Sequence, residues 1–262
     1  MTALITARGV SRDYALPRTE PFAPRRVRHA LIDADLQVRE GESLAVIGES
    51  GSGKSTLIRA LLALDGGGRG EIAFDGRPVL PGSARSLRWL RAQTGVVFQE
   101  PYASLDPRRT VGWTIAEPLR ALGIRGDHRQ RVREVLARVG LHDRRAGDYP
   151  HELSGGQRQR VALARAIVHG PRVLVGDEPL SALDVTIRAQ ILELLRELRA
   201  QLGLTVILVS HDIGLVQRFS DRLVVLKDGR IVETGDAGAV LAAPEHPYTR
   251  RLLDSVPTLI EG

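Results

Sequence analysis

A mixed α/β fold whose parallel strands carry loops to one sheet edge is what the 262-residue sequence predicts. Three observations predict it. A strand, a glycine-rich loop and a helix follow one another in SLAVIGESGSGKSTLIRALLAL from Ser43. Strands and helices alternate from Ser154 to Leu226, the pattern of a largely parallel sheet covered on both faces. Residues 3 to 47 read as short strands, which puts a β-rich subdomain at the N-terminus.

Taken in order, LITARGV and ALIDADLQV are strands, the second with every other residue apolar, and SLAVI is a third that ends at Gly48. Pro17 to Arg28 holds three prolines and several arginines and reads as a loop. STLIRALLAL has helical spacing, and GEIAFDG is a strand closing in a turn. From about Gly112 to Asp148 the chain turns helical, with IAEPLRALG and HRQRVREVLARVG amphipathic, which makes about 100–165 a candidate inserted helical subdomain. Then come a helix from Ser154, the strand RVLVG, a helix over Thr186 to Leu202, the strand LTVILVS, a helix from Asp212, the strand DRLVVL and a hairpin at Asp228-Gly229. Residues 1–235 are expected to form one domain and 236–262 a short tail.

Composition narrows the classes. With 43% apolar and 26% charged residues the chain is of ordinary globular type, and no apolar run reaches the roughly 20 residues that span a bilayer. MTALITARGVSRDY carries arginines and an aspartate where a secretory leader needs an unbroken apolar region, so a cytoplasmic location is expected. There are no cysteines, which removes disulfides and thiol chemistry. The net charge of +6 comes from 35 arginines spread along the chain, with Lys54 and Lys227 the only lysines. No basic and aromatic stripe accompanies it, and nucleic acid is not expected as a partner.

The sharpest motif is GESGSGKS, from Gly48 through Glu49, Ser50, Gly51, Ser52, Gly53 and Lys54 to Ser55, followed by Thr56. It fits G-x-x-x-x-G-K-[ST] between a strand and a helix. Glycines let backbone N–H groups turn toward phosphate oxygens, and the helix N-terminus adds partial positive charge. Lys54 would reach the β- and γ-phosphates and the Ser55 hydroxyl would ligate Mg²⁺. A chain that writes nearly every cation as arginine keeps a compact ammonium where a point charge must fit a phosphate cage.

RVLVGDE brings Asp177 and Glu178 to the end of an apolar strand, where α/β sheets place their ligands. Asp177 would hold Mg²⁺ and Glu178 would act as general base on the attacking water. LSGGQRQR sets Ser154, Gly155, Gly156 and Gln157 at the start of a helix, a second anion site in one chain. Ser154 is also a natural N-cap, but capping does not account for the two glycines and the glutamine.

With LSGGQ beside a P-loop the chain resembles the ABC ATPases. That resemblance implies an N-terminal antiparallel β subdomain, a RecA-like parallel-sheet core and an inserted helical subdomain. It also implies head-to-tail pairing, the P-loop of one cassette and the signature of the other enclosing each ATP. On it, Gln99 resembles the Q-loop glutamine that senses Mg²⁺ and the membrane partner, Ser181 to Asp184 the D-loop, His211 the switch histidine at the γ-phosphate, and Tyr14 the aromatic that stacks on adenine.

HALIDADLQVREGESLAVIGESGSGKSTL, FQEPYASLDPRRTV and PEHPYTRRLLDSVP are similar to the ATPases of oligopeptide, dipeptide and nickel importers, and the likeness covers essentially the whole chain. Lacking a C-terminal cysteine cluster, the sequence resembles the second, shorter ATPase of such systems. The resemblance implies ATP and Mg²⁺, a second ABC ATPase, identical or not, two integral membrane permease subunits and an extracytoplasmic solute-binding protein. It implies a place at the cytoplasmic face of the membrane. Peptides are the expected cargo, with nickel or another small solute as the alternative. A soluble ABC protein of DNA repair or translation would carry two cassettes or a long coiled coil, a GTPase would need N-K-x-D, and a degenerate cassette would lack Glu178 or His211.

Overall fold

The computed structural model describes residues 3–16, 26–98, 105–180 and 183–254. They fall into two compact units, Met1–Ser83 together with Val209–Gly262, and Ala84–Leu208. Gln99, Ser181 and Ala182 lie outside the described residues, as does most of the loop expected after Pro17.

The first unit opens with β1 (Ala3–Ala15), paired antiparallel with β2 (Val27–Arg39). β3 (Ser43–Ile47) leads through the glycine loop into α1 (Lys54–Leu61), and β4 (Arg69–Phe74) and β5 (Arg77–Pro78) complete a sheet of order β2-β1-β4-β5. β1 runs five residues past the Val10 at which alternation ends. Its register against β2 shifts between Ala7 and Val10, between Val10 and Arg12, and between Arg12 and Asp13. Each bulge resets which face a side chain takes, so a strand continues where the two-residue period does not. Val27 and Arg28, expected in the loop, are strand. All five residues of β3 are buried, as suits a strand covered on both faces.

The second unit begins with α2 (Arg88–Gln93) and β6 (Thr94–Val97). Among the described residues α3 (Val111–Ile115), α4 (Glu117–Ala121) and α5 (His128–Arg138) follow. Asp127 starts α5 by accepting from the N–H groups of Arg129 and Gln130, and Val132, Val135 and Leu136 form its buried stripe. α6 (Gly155–Ile167) packs against α5 and delivers the chain to β7 (Val173–Asp177). β7 is parallel to β6, with Thr94 opposite Val173 and Val97 opposite Gly176. α7 (Val185–Leu202) buries Ile191, Leu194, Leu195 and Leu198 along one stripe, stops at Gly203 in the left-handed region, and β8 (Thr205–Val209) then lies beside β7.

The first unit resumes with α8 (Ile213–Phe219) and β9 (Arg222–Lys227), which is parallel to β3. Asp228 and Gly229, both at positive φ, turn the chain into β10 (Arg230–Asp236) antiparallel to β9. The described part of the expected tail folds as two short helices, α9 (Ala237–Ala242) and α10 (Pro247–Asp254). Val240 and Tyr248 join a buried cluster with Ala45 and Ile47 of β3, Leu223 and Val225 of β9 and Val216 of α8. The α/β class is as predicted, with an antiparallel sheet, parallel strands and flanking helices. Among the described residues no helix is long and apolar enough to cross a membrane.

Candidate nucleotide site

The loop from Gly48 to Gly53 is held from several sides within the first unit. Gly229 donates its N–H to the Ser52 carbonyl at 2.9 Å, and the Arg28 guanidinium donates to the Gly51 carbonyl at 2.9 Å. Two glycines are obligatory on geometry. A Cβ at Gly48 would sit 2.2 Å from the Leu226 carbonyl oxygen, and one at Gly53 would sit 2.4 Å from that of Ala30. Both also adopt positive φ, 148° and 110°, so a side chain would be strained even without the collision.

Lys54 is buried at 7% exposure, and its Nζ donates to the carbonyls of Gly48 at 2.7 Å and Glu49 at 2.8 Å. The ammonium is therefore folded back into the loop that it serves. Gly53 occupies the N-cap of α1 and supplies no side-chain acceptor, so the first turn keeps donors to offer. Among the described residues none accepts from the amides of Ser50, Gly51 or Gly53, and the buried Ser52 hydroxyl has no partner. Amides without an acceptor and an orphaned buried hydroxyl, in a glycine loop at a helix N-terminus, are what a bound polyphosphate requires. Ser55 is exposed on the first turn of α1 and Thr56 half-buried beside it.

Two more predicted residues share this unit. Ser210 donates its N–H to the Val46 carbonyl at 3.2 Å, which brings His211 to the sheet edge where the loop begins. Asp212 next to it caps α8 through the N–H of Leu215. Tyr14, at the end of β1 and 38% exposed, donates its hydroxyl to Asp65 at 3.0 Å. Arg59 of α1 grips the same carboxylate with two bonds of 2.7 and 2.8 Å. Partial burial, then the Asp65 carboxylate, raise the Tyr14 phenol above its ordinary range, while the Arg59 bonds hold the Asp65 carboxyl below its own.

The second unit carries the other predicted groups. Ser154 Oγ accepts from the Gln157 N–H at 3.3 Å, and Gln157 Oε1 accepts from the Ser154 N–H at 2.9 Å, a reciprocal cap on α6. Nothing lies within 4 Å of a Cβ at Gly155, and one at Gly156 would meet only the side chain of Ile187. Asp177 closes β7, and Glu178 follows with φ 47°, a left-handed backbone that a non-glycine residue adopts at a cost. Gln159 of α6 is fully buried and donates to the Pro179 carbonyl at 2.7 Å, which ties the turn after Glu178 to the helix that opens with Ser154. The sequence reading assigned Gln159 no role, although it stands inside LSGGQRQR.

The largest omission is the tail. Tyr248 accepts the Glu49 N–H at 3.0 Å, and Lys227 places its Nζ 5.2 Å from the centre of the Tyr248 ring. The HPYT string was read only as a mark of likeness.

Comparison with known proteins agrees with this geometry. Residues 31–181 match the family model described as ABC transporter, and 232–262 match that of the oligopeptide/dipeptide transporter C-terminal region. Over 231 residues, 87% of the chain, it is 48% identical to the glutathione import ATP-binding protein GsiA of Salmonella typhimurium. The chain spans about 37% of the length of that relative. The dimeric ABC transporter cassette MJ0796 superposes with a TM-score of 0.77 at 33% identity over 89% of this chain and 98% of that one. The same cassette in a post-hydrolysis dimer bound to ADP and Pi gives 0.76 at 30% identity, with the same coverage. The chain belongs to the ABC transporter family, and its residues 232–262 match the C-terminal region of the oligopeptide/dipeptide transporters.

Proposed function

We propose that this chain hydrolyses ATP to drive an importer of di- or oligopeptides, paired with a second cassette beneath two membrane permeases that take cargo from an extracytoplasmic binding protein. The observation that carries the reading is the loop of residues 48–53, whose acceptor-free amides and folded-back Lys54 suit phosphate, in a chain whose residues 232–262 match the oligopeptide/dipeptide transporter C-terminal region. The relatives are named for glutathione import, and glutathione is itself a small peptide.

In this reading Lys54, the loop amides and Ser52 bind and orient the β- and γ-phosphates, Tyr14 offers its ring to the base, and His211 faces the γ-phosphate. By their chemistry Ser55, Asp177 and Gln99 would supply hard oxygen donors of the kind Mg²⁺ takes. The ion, when bound, neutralises charge on the phosphates. Glu178 takes a proton from the attacking water, and Ser154 with Gly155, Gly156 and Gln157 of the partner cassette closes over the nucleotide. The rate comes from placement and charge stabilisation more than from covalent chemistry.

The permeases find a seat in the second unit, a groove of about 1050 Å³ lined by Arg85, Arg88, Arg91, Phe98, Glu117 and Arg165. Burial pulls the Arg165 guanidinium below its ordinary range, and Glu117 opposes that shift. A permease loop carrying a carboxylate suits such a surface.

Glu178→Gln tests the chemistry. It should retain ATP, trap a dimer on size exclusion and lose about 10²- to 10⁴-fold in phosphate release, the range for removing a general base. Hydrolysis at the unaltered rate would remove Glu178 from the role. Co-purification from detergent-solubilised membranes tests the assembly, and recovery without any integral membrane protein would remove the importer.

A further inference from the structure

We infer that Tyr248 is a positioning residue for nucleotide, acting through the Gly48–Glu49 peptide on Lys54. The inference rests on the reading of Lys54 as a phosphate ligand.

The Gly48 carbonyl and the Glu49 N–H belong to one planar unit and point to opposite sides of it. The carbonyl accepts from Lys54 Nζ at 2.7 Å, and the N–H is held by the Tyr248 hydroxyl at 3.0 Å. Gly48 stands at φ 148°, without a side chain to restrict rotation of the peptide that follows. A peptide so placed turns easily unless both its edges are tied. Lys54 ties one and Tyr248 the other, so the aim of the ammonium depends on the phenol.

The described part of the tail fixes that phenol. Glu233 accepts the N–H groups of Glu245 at 2.8 Å and His246 at 3.1 Å, seating the start of α10 on β10. His246 Nδ1 then accepts the Tyr248 N–H at 3.1 Å, and Pro247 occupies the first helical position, where its missing N–H costs nothing. The Tyr248 ring is 3% exposed within the cluster that includes Ala45, Ile47 and Val225. Burial raises the phenol above its ordinary range, so the hydroxyl stays neutral through the physiological interval. Each letter of HPY thus serves one contact with a loop 199 residues away.

Tyr248→Phe in the 262-residue chain removes one oxygen and keeps the ring. ATP affinity, measured by titration with a fluorescent ATP analogue, should fall about three- to tenfold, as for loss of one hydrogen bond. The melting midpoint without nucleotide should stay within about 2 °C, because the apolar contacts persist. Leu252→Ala, which trims a residue packed on the same cluster, should lower the midpoint and leave affinity within about twofold. Lys54→Ala tests the reading beneath. If it leaves affinity unchanged, the P-loop assignment falls; if it abolishes binding while Tyr248→Phe binds normally, only the role of Tyr248 falls. Affinity that tracks the melting midpoint alike in both tail variants makes the tail a structural prop and overturns the inference. Amide exchange of Glu49 needs no variant: the N–H should exchange several-fold more slowly than an unbonded loop amide, and exchange at the free rate would also overturn it.

Discussion

The chain starts two helices with glycines, α1 after the loop at residues 48–53 and α6 at Gly155, and builds the two starts in opposite ways. α1 has Gly53 at its N-cap and no side-chain cap, and the chain around the loop approaches so closely that neither Gly48 nor Gly53 has room for a Cβ. α6 completes itself, since Ser154 and Gln157 satisfy one another's N–H groups and Gly155 faces open space. The first start is a mould that other segments hold open for a ligand. The second is self-contained and presents Gly155 outward, while Gly156 is buried against Ile187. Glycines at a helix start therefore answer unequal demands: close backbone approach at Gly48 and Gly53, close packing at Gly156, and open space only at Gly155.

That contrast can be broken most forcefully at its charged member. Lys54→Met should lower phosphate release by about 10²-fold or more, since the charge it supplies is preorganised in a site where few groups compete. A chain that still hydrolyses ATP would leave the mould without a purpose. Gly53→Ala comes next, with an expected loss of at least about 2 kcal/mol in denaturant unfolding, because the Cβ meets the Ala30 carbonyl and φ is 110°. Gly155→Ala is its counterpart. It should leave stability within about 1 kcal/mol of the parent, in the direction of gain, and a loss as large as that of Gly53→Ala would erase the distinction.

Ser154→Ala should cost about 1 kcal/mol through the cap alone. Measured alongside hydrolysis, it separates what Ser154 does for α6 from what it does for nucleotide. A fall in hydrolysis without the stability loss would show that the capping geometry is dispensable.

The smallest effect is in pH. His169 lies just beyond α6, its Nε2 3.2 Å from the Thr94 carbonyl, and burial pushes the imidazole below its ordinary range. The unfolded chain then binds the proton more tightly than the folded one. Stability from this group is full above about 6.5 and declines as pH falls toward the lowered value. Asp65 in the first unit also has a lowered carboxyl, so its contribution is kept until pH falls through the acidic end of the carboxylate range. Between pH 7.5 and 5.5, amide protection factors, corrected for the intrinsic exchange rate at each pH, should fall in α6 and not in α1, and His169→Asn should flatten the response; an equal fall in both helices would contradict it.

What could be read without coordinates was what is local. The loop of residues 48–55, the acids after RVLVG and the signature helix each lie within eight residues, and short-range spacing carries their chemistry. The alternation that announces β1 stops at Val10 because bulges break the period beyond it. Gln159 and Tyr248 escaped for another reason. Their partners, the carbonyl of Pro179 and the N–H of Glu49, are backbone groups 20 and 199 residues away. Backbone carries no letter, so no pattern in the sequence could mark those contacts.

Glu178 is the one acid at the proposed catalytic edge that stands at a positive φ, 47°. A left-handed backbone costs an L-residue about 1–2 kcal/mol, and glycine would sit there without strain. The fold alone would favour a glycine after Asp177. A glutamate in that place means that rigidity and turnover are drawn from opposing choices at a single position. Selection of this chain for heat resistance alone would be expected to find residue 178 early and to return a protein that melts later and no longer turns over.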